Sequence, residues 1–118
     1  MAFEFHIAIH ASAGRAPCAF DFSFETAIER LASLPTLFIE PDGSFVWATA
    51  DSQMDGVLYD HQQRLHYIEA KGHCRVESME TFLRCLGWPD QQLVIQQMRA
   101  AVFLNAEEFL AQLEADGQ

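Results

Sequence analysis

The residues best suited to chemistry lie in the stretch DGVLYDHQQRLHYIEAK, which runs from Asp55 to Lys71. Its pattern predicts two short strands joined by a polar turn, with an acid opening the first strand and Glu-Ala-Lys closing the second. Because side chains alternate between the faces of a strand, we expect Glu69 and Lys71 to share a face with Leu65 and Tyr67. Asp55 can approach both charged groups from the neighbouring strand. The arrangement suits either a metal and phosphate site or an ordinary salt-bridged hairpin.

Hydrolysis of a phosphodiester is the reaction that these residue types would suit. It needs one or two divalent ions, which activate water and offset the charge on the leaving oxygen. Mg²⁺ and similar hard ions prefer oxygen ligands, and a cation near the attacked phosphate adds stabilisation. Asp55, Glu69 and the carbonyl of Ala70 could bind the ion, and Lys71 could orient the water. Glu25, from the first predicted helix, could complete the ligand set.

The fourteen-residue step from Asp55 to Glu69, followed directly by Ala70 and Lys71, resembles the PD-(D/E)xK nuclease signature. The likeness is closest to the small stand-alone members, the archaeal Holliday-junction resolvases and their bacterial relatives. In those proteins an aspartate opens one strand and an E-x-K motif closes the next. The family's core order of helix, three strands, helix and strand can be laid on residues 24–98.

This resemblance implies a role for each acid and for the lysine. Asp55 and Glu69 would be metal ligands and catalytic residues, and Glu25 would be the helical acid that also binds the metal. Lys71 would be the catalytic lysine, Mg²⁺ or Mn²⁺ the cofactor, and nucleic acid the substrate. Lys71 is also the one lysine in the chain, against six arginines, which favours a position where a compact ammonium is wanted.

A non-enzymatic interpretation stands beside this one. Cross-strand charge pairs contribute only about 0.2–1 kcal/mol to a sheet, and Asp55 beside Gly56 also suits simple turn chemistry. The net charge of −10 argues against avid, unaided binding of nucleic acid. It favours a small acidic interaction domain, or an inactive nuclease-like fold, that binds a protein partner or self-associates as a dimer through a sheet edge. The sequence therefore leaves open whether the protein is an enzyme.

The composition is that of a folded protein, which we expect to form a single domain over residues 1–118. Half of the residues are hydrophobic and ten are phenylalanine, so a substantial core is available. No apolar run approaches the roughly 18 residues of a membrane helix, so no membrane association is expected. The N-terminus alternates polar and apolar residues and lacks the basic start of a signal peptide. Three cysteines without CxxC spacing indicate reduced thiols and a cytoplasmic protein.

The hydrophobic pattern predicts a mixed α/β (α+β) fold with a largely antiparallel sheet of five to six strands and helices packed against it. The run at 92–98 fits a strand, although a helix also fits so short a segment. The predicted elements are, in chain order, a strand at 2–10, a loop at 11–19, a helix at 24–34, strands at 37–40 and 44–49, the two strands of 55–71, a helix over 79–86, the run at 92–98 and a helix that begins after Asn105.

Two histidines in the first predicted strand share a face with Glu4. His6 and His10 are four positions apart, which places them about 13 Å from each other on a strand. They cannot both bind one metal ion without a bend, and we therefore expect two solvated side chains.

Overall fold

The alternating N-terminal segment forms the strand around which the sheet is built. The computed structural model of the chain describes residues 4–14 and 16–116. Residues 2 and 3 of the first predicted strand lie outside that part. The elements in chain order are β1 (Phe5–Ala13), β2 (Ala16–Cys18), α1 (Phe24–Ala32), β3 (Leu37–Ile39), β4 (Ser44–Ala48), β5 (Gln53–His61), β6 (Arg64–His73), α2 (Val76–Cys85), β7 (Leu93–Gln97), β8 (Val102–Asn105) and α3 (Ala106–Asp116).

All of these strands belong to one antiparallel sheet with the order β3-β4-β5-β6-β1-β7-β8, and β2 pairs with β1 outside this path. The strand β1 takes a central place because its inward side chains are apolar. Ile7 and Ile9 are fully buried. In the strand order β1 lies between β6 and β7, which are far along the chain, so this placement depends on long-range pairing.

The three helices of the described residues place their apolar stripes in the same core as the inward side chains of the sheet. Leu31 of α1, Phe82 of α2 and Phe109 of α3 are all fully buried in one hydrophobic cluster. The alternate side chains of the strands point to the opposite side of the sheet. We call that side the open face; it carries His6, Asp55, Tyr59, Tyr67, Glu69 and Lys71.

The mixed α+β fold with an antiparallel sheet is confirmed, but the predicted number of five to six strands is wrong, because the described residues form eight. The segment 11–19, predicted to be a loop, continues β1 to Ala13 and then adds β2. Pro17 is tolerated in β2 because this short strand pairs on one side only. The strand β8 was also missed, because its side chains are mostly exposed and show no alternation. The run at 92–98 is a strand, β7.

A bulge in β6 changes which side chains share a face. Tyr59 pairs with Tyr67 and Asp60 pairs with Leu65, so that His66 is the extra residue on its strand. Such an extra residue shifts the alternation of side chains by one position. Leu65 is therefore fully buried in the core, and the expectation that it shares a face with Tyr67 is wrong.

Candidate functional site

The candidate acids and the lysine of the hairpin lie close together on the paired strands β5 and β6. Asp55 pairs directly with Lys71, and Glu69 pairs with Val57, which places Glu69 diagonally across from Asp55. Directly opposed residues have Cβ atoms roughly 5 Å apart, and diagonal ones lie within about 8 Å. Asp55, Glu69 and Lys71 together line one surface pocket of about 180 Å³. The structure thus brings together these three predicted site residues on the open face.

Gly56 allows β5 and β6 to approach closely at this pocket. A Cβ atom at this position would overlap the backbone oxygen of Glu69 and would lie 2.8 Å from the ring of Phe45. The absence of a side chain therefore lets the Phe45 ring pack beneath the strand while the two strands stay paired. The positions of Asp55 and Glu69 depend on this local packing.

Glu69 is held by hydrogen bonds to both of its carboxylate oxygens. Nε2 of His6, in the neighbouring strand β1, lies 2.6 Å from Oε2, and the Tyr59 hydroxyl donates to Oε1 at 3.1 Å. The bond from His6 is the main reason why the pKa of the Glu69 carboxyl lies below its usual value. Burial opposes this shift, while Tyr59 and the charge of Lys71 act in the same direction. The carboxylate in turn raises the pKa of the Tyr59 hydroxyl.

The structure does not bring Glu25 to this site. Glu25 lies in the first turn of α1, exposed, in the layer of helices. The backbone N–H of Phe24 donates to the carbonyl of Gln63 in the hairpin turn, so the start of α1 is anchored at the far end of β6 from Lys71. Eight residues of extended strand correspond to roughly 26 Å. The metal-binding role of Glu25 therefore has no support from its position.

Without Glu25, the donor atoms of the site suit only one kind of metal binding. Asp55 and Glu69 offer carboxylate oxygens, which suit a Mg²⁺ ion that keeps several waters and uses substrate phosphates as further ligands. In the described part of the chain, no three His, Cys, Asp or Glu side chains are grouped closely enough to hold an ion by themselves. Both oxygens of Glu69 are also engaged, so an ion would have to share or exchange the hydrogen bonds from His6 and Tyr59. The use of Mg²⁺ or Mn²⁺ stays a prediction.

Aromatic rings continue the open face beyond Glu69. The rings of Tyr59 and Tyr67 stack with centroids 4.7 Å apart, and the ring of His10 stacks on Tyr67 at 5.3 Å. Burial beneath these neighbours lowers the pKa of His10. A hydrogen bond with Gln96 opposes the shift, and the nearby His66 adds to it. The stacked rings hold Tyr59 in the position from which its hydroxyl reaches Glu69.

Reasoning from the sequence did not identify His6 and Tyr59 as residues of this site. The expectation of two solvated histidines is wrong for His6, whose imidazole bonds a carboxylate 63 positions away in the chain. It is also wrong for His10, which is stacked and half-buried. The alternation of β1 correctly placed both on one face. Only the register between β1 and β6, in which His6 opposes Lys71, reveals the contact with Glu69.

Comparisons of the chain with protein-family models, curated proteins and solved structures gave no match. The resemblance to PD-(D/E)xK nucleases thus stays a prediction. Four strands, β3 to β6, lie between α1 and α2, whereas the family's core order has three. None of the helices in the described residues has the length and apolar character that a membrane span requires.

Proposed function

We propose that the protein is a metal-dependent phosphodiesterase of the nuclease type that acts at the open face of the sheet. The observation that carries this proposal is the shared pocket of Asp55, Glu69 and Lys71, three side chains from two neighbouring strands. Two carboxylates beside an ammonium group are suited to a divalent ion and a phosphate at the same time. The residues that the PD-(D/E)xK resemblance selects are the ones that line this pocket, apart from Glu25.

Each side chain has a distinct part in the proposed reaction. Asp55 and Glu69 would hold the ion, which when bound supplies an acidic water and a positive charge at the leaving oxygen. Lys71 is the direct partner of Asp55 in the sheet, and its ammonium group would orient the attacking water and contact a phosphate oxygen. His6 and Tyr59 fix the direction of the Glu69 carboxylate. They are positioning residues, because they act through Glu69.

The charge of the chain limits how a nucleic acid substrate would bind. With a net charge of −10, the protein as a whole repels a polyanion. Binding would therefore depend on the metal ion and on the few cations near the site. We expect weak substrate binding without a divalent ion, because the carboxylates of Asp55 and Glu69 then repel the phosphates of the substrate.

Calorimetric titration with Mg²⁺ and Mn²⁺ tests the proposal directly. We expect saturable binding by the native chain and by Asp60→Ala, and no binding by Asp55→Ala. Asp60 is an exposed aspartate on the same strand, outside the pocket, so its variant carries the same loss of charge. Cleavage of branched and single-stranded DNA should then disappear in Asp55→Ala and Lys71→Met. No saturable binding up to several millimolar metal would refute the metal-dependent mechanism.

A second candidate function is self-association as a non-enzymatic interaction domain. The observation that favours it is an exposed apolar pair at one edge of the sheet, Phe38 on β3 and Val46 on β4, whose side chains are 76% and 46% exposed. β3 ends the strand order, so one side of its backbone is available for pairing. If the protein is a dimer through this edge, light scattering should show a dimer that Phe38→Ser converts to a monomer. A native chain that stays monomeric at all concentrations would exclude this function.

A further inference from the structure

A second, larger pocket lies beside the candidate active site. It occupies about 330 Å³ at the end of the sheet where β1 and β5 begin and β6 ends. Lys71 and Asp55 line both pockets, so the two are contiguous. The larger one is also lined by His6, His73 and Arg99.

Arg99 reaches this pocket because the turn between β7 and β8 is anchored to β1. The backbone N–H of Met98 donates to the carbonyl of His6 at 2.9 Å. His6 is itself the direct partner of Lys71 in the sheet. The turn then closes through Ala101, which has a positive φ of 54°. Two cationic side chains from distant parts of the chain thus line one pocket.

The lining of this pocket is less acidic than the chain as a whole. The protein has seven lysines and arginines against seventeen acids, whereas this pocket is lined by two of the seven cations and two acids, Glu4 and Asp55. The ion pairs formed within the described residues use Arg75, Arg84 and His6, and none of them engages Lys71 or Arg99. In so acidic a chain, two cations that no carboxylate pairs with at close range are available to an anion. Glu4 and Asp55 balance the formal charge of the two cations, which keeps the expected affinity modest.

We propose that this pocket is an oxyanion-binding subsite, centred on Lys71 and Arg99, that takes a phosphate group. The planar guanidinium of an arginine matches two phosphate oxygens, and the compact ammonium of a lysine adds a point charge. Of the two histidines in the wall, His6 already bonds Glu69 through Nε2, which leaves the ring of His73 as a further donor to the anion. Binding of the anion is independent of cleavage. Only its assignment to a substrate phosphate next to the scissile one rests on the proposed function.

The test is an NMR titration of the metal-free full chain with inorganic phosphate, followed on the backbone amides of residues 71–73 and 98–101. The variant Arg99→Gln removes one cation from the pocket. Its matched control, Arg64→Gln, makes the same change in net charge at the exposed first residue of β6, at the other end of the strand. We expect saturable, local shifts in the native chain and in the control, and binding about tenfold weaker in Arg99→Gln, since hydrogen bonds to charged groups are worth on the order of that factor.

Several outcomes would overturn the subsite. They are shifts that do not saturate, shifts spread over the whole surface, and equal weakening in both variants. A parallel titration with acetate separates a phosphate site from a general carboxylate site, and tighter binding of acetate would overturn the assignment to phosphate. Because no metal and no cleavage enter the measurement, a chain that binds phosphate but neither binds Mg²⁺ nor cuts DNA would refute the proposed function and still support the subsite.

Discussion

Replacement of Gly56 by alanine is the sharpest test of the packing behind the candidate site. The added methyl group would overlap the backbone oxygen of Glu69 and would also meet the ring of Phe45 at 2.8 Å. Phe45 can move, but the carbonyl of Glu69 belongs to a paired strand and cannot move without disturbing the β5–β6 ladder. The variant should therefore destabilise the fold and displace Asp55 relative to Glu69.

The size of the effect follows from three contributions. Overpacking of this kind typically costs about 1–3 kcal/mol. Weakening of a neighbouring ladder hydrogen bond adds about 1 kcal/mol. The lower conformational entropy of an unfolded chain with alanine offsets about 0.4–1 kcal/mol. We expect a net loss of roughly 1–3 kcal/mol in the free energy of unfolding, and at roughly 4 °C per kcal/mol a fall in Tm of several degrees.

Urea unfolding followed by circular dichroism measures this loss, and the double variant with Phe45→Leu separates its two causes. A smaller side chain at position 45 relieves the contact with the ring but leaves the clash with the Glu69 backbone. A double-mutant cycle should therefore recover only part of the loss caused by Gly56→Ala. An exposed strand glycine would instead be stabilised by alanine by about 0.5–1 kcal/mol. A Gly56→Ala variant as stable as the native chain, or more stable, would refute the close approach of the two strands.

Two further predictions concern the other end of the open face and the last helix. Burial lowers the pKa of His10 below its ordinary value of 6.5, so the folded state resists protonation. The contribution of neutral His10 to the free energy of unfolding should be fully present above pH 6.5 and fall as the pH drops through the folded pKa. His10→Gln should remove this part of the pH dependence of urea unfolding. An NMR titration midpoint for His10 at or above 6.5 would contradict the burial. Asn105 and Glu108 cap α3 reciprocally, with side chain to backbone bonds of 2.7 and 2.9 Å. Asn105→Ala should lower the free energy of unfolding by about 1 kcal/mol, and an unchanged urea midpoint would argue against the cap.

Local signals were sufficient for much of the fold. The turn residues and alternation around 61–64 correctly predicted the hairpin of β5 and β6, because strand periodicity and turn chemistry act over a few residues. The stripe with Phe82 predicted α2, and the capping residue Asn105 predicted the start of α3 for the same reason. The shared face of Glu69 and Lys71 followed from alternation alone, and the register of the hairpin placed Asp55 beside them in one pocket.

Those local signals could not predict which distant strands pair with each other. The contact of His6 with Glu69 depends on β1 pairing with β6, and nothing near position 6 in the chain specifies that partner. The same pairing, continued to β7, brings Arg99 to the pocket that holds Lys71. The exclusion of Glu25 depends on where α1 is anchored, which is a property of the assembled layers.

The sequence by itself determined which residues could do chemistry and which face of their strands they occupy, because side-chain alternation and hairpin turns are set by near neighbours. The tertiary structure alone decided which residues lie beside them. It placed two of the predicted metal ligands, Asp55 and Glu69, in one pocket with Lys71 and left Glu25 outside. It also brought His6 into a hydrogen bond with Glu69. The physical reason is that strand order and register are set by burial of the whole apolar surface, which no single segment contains.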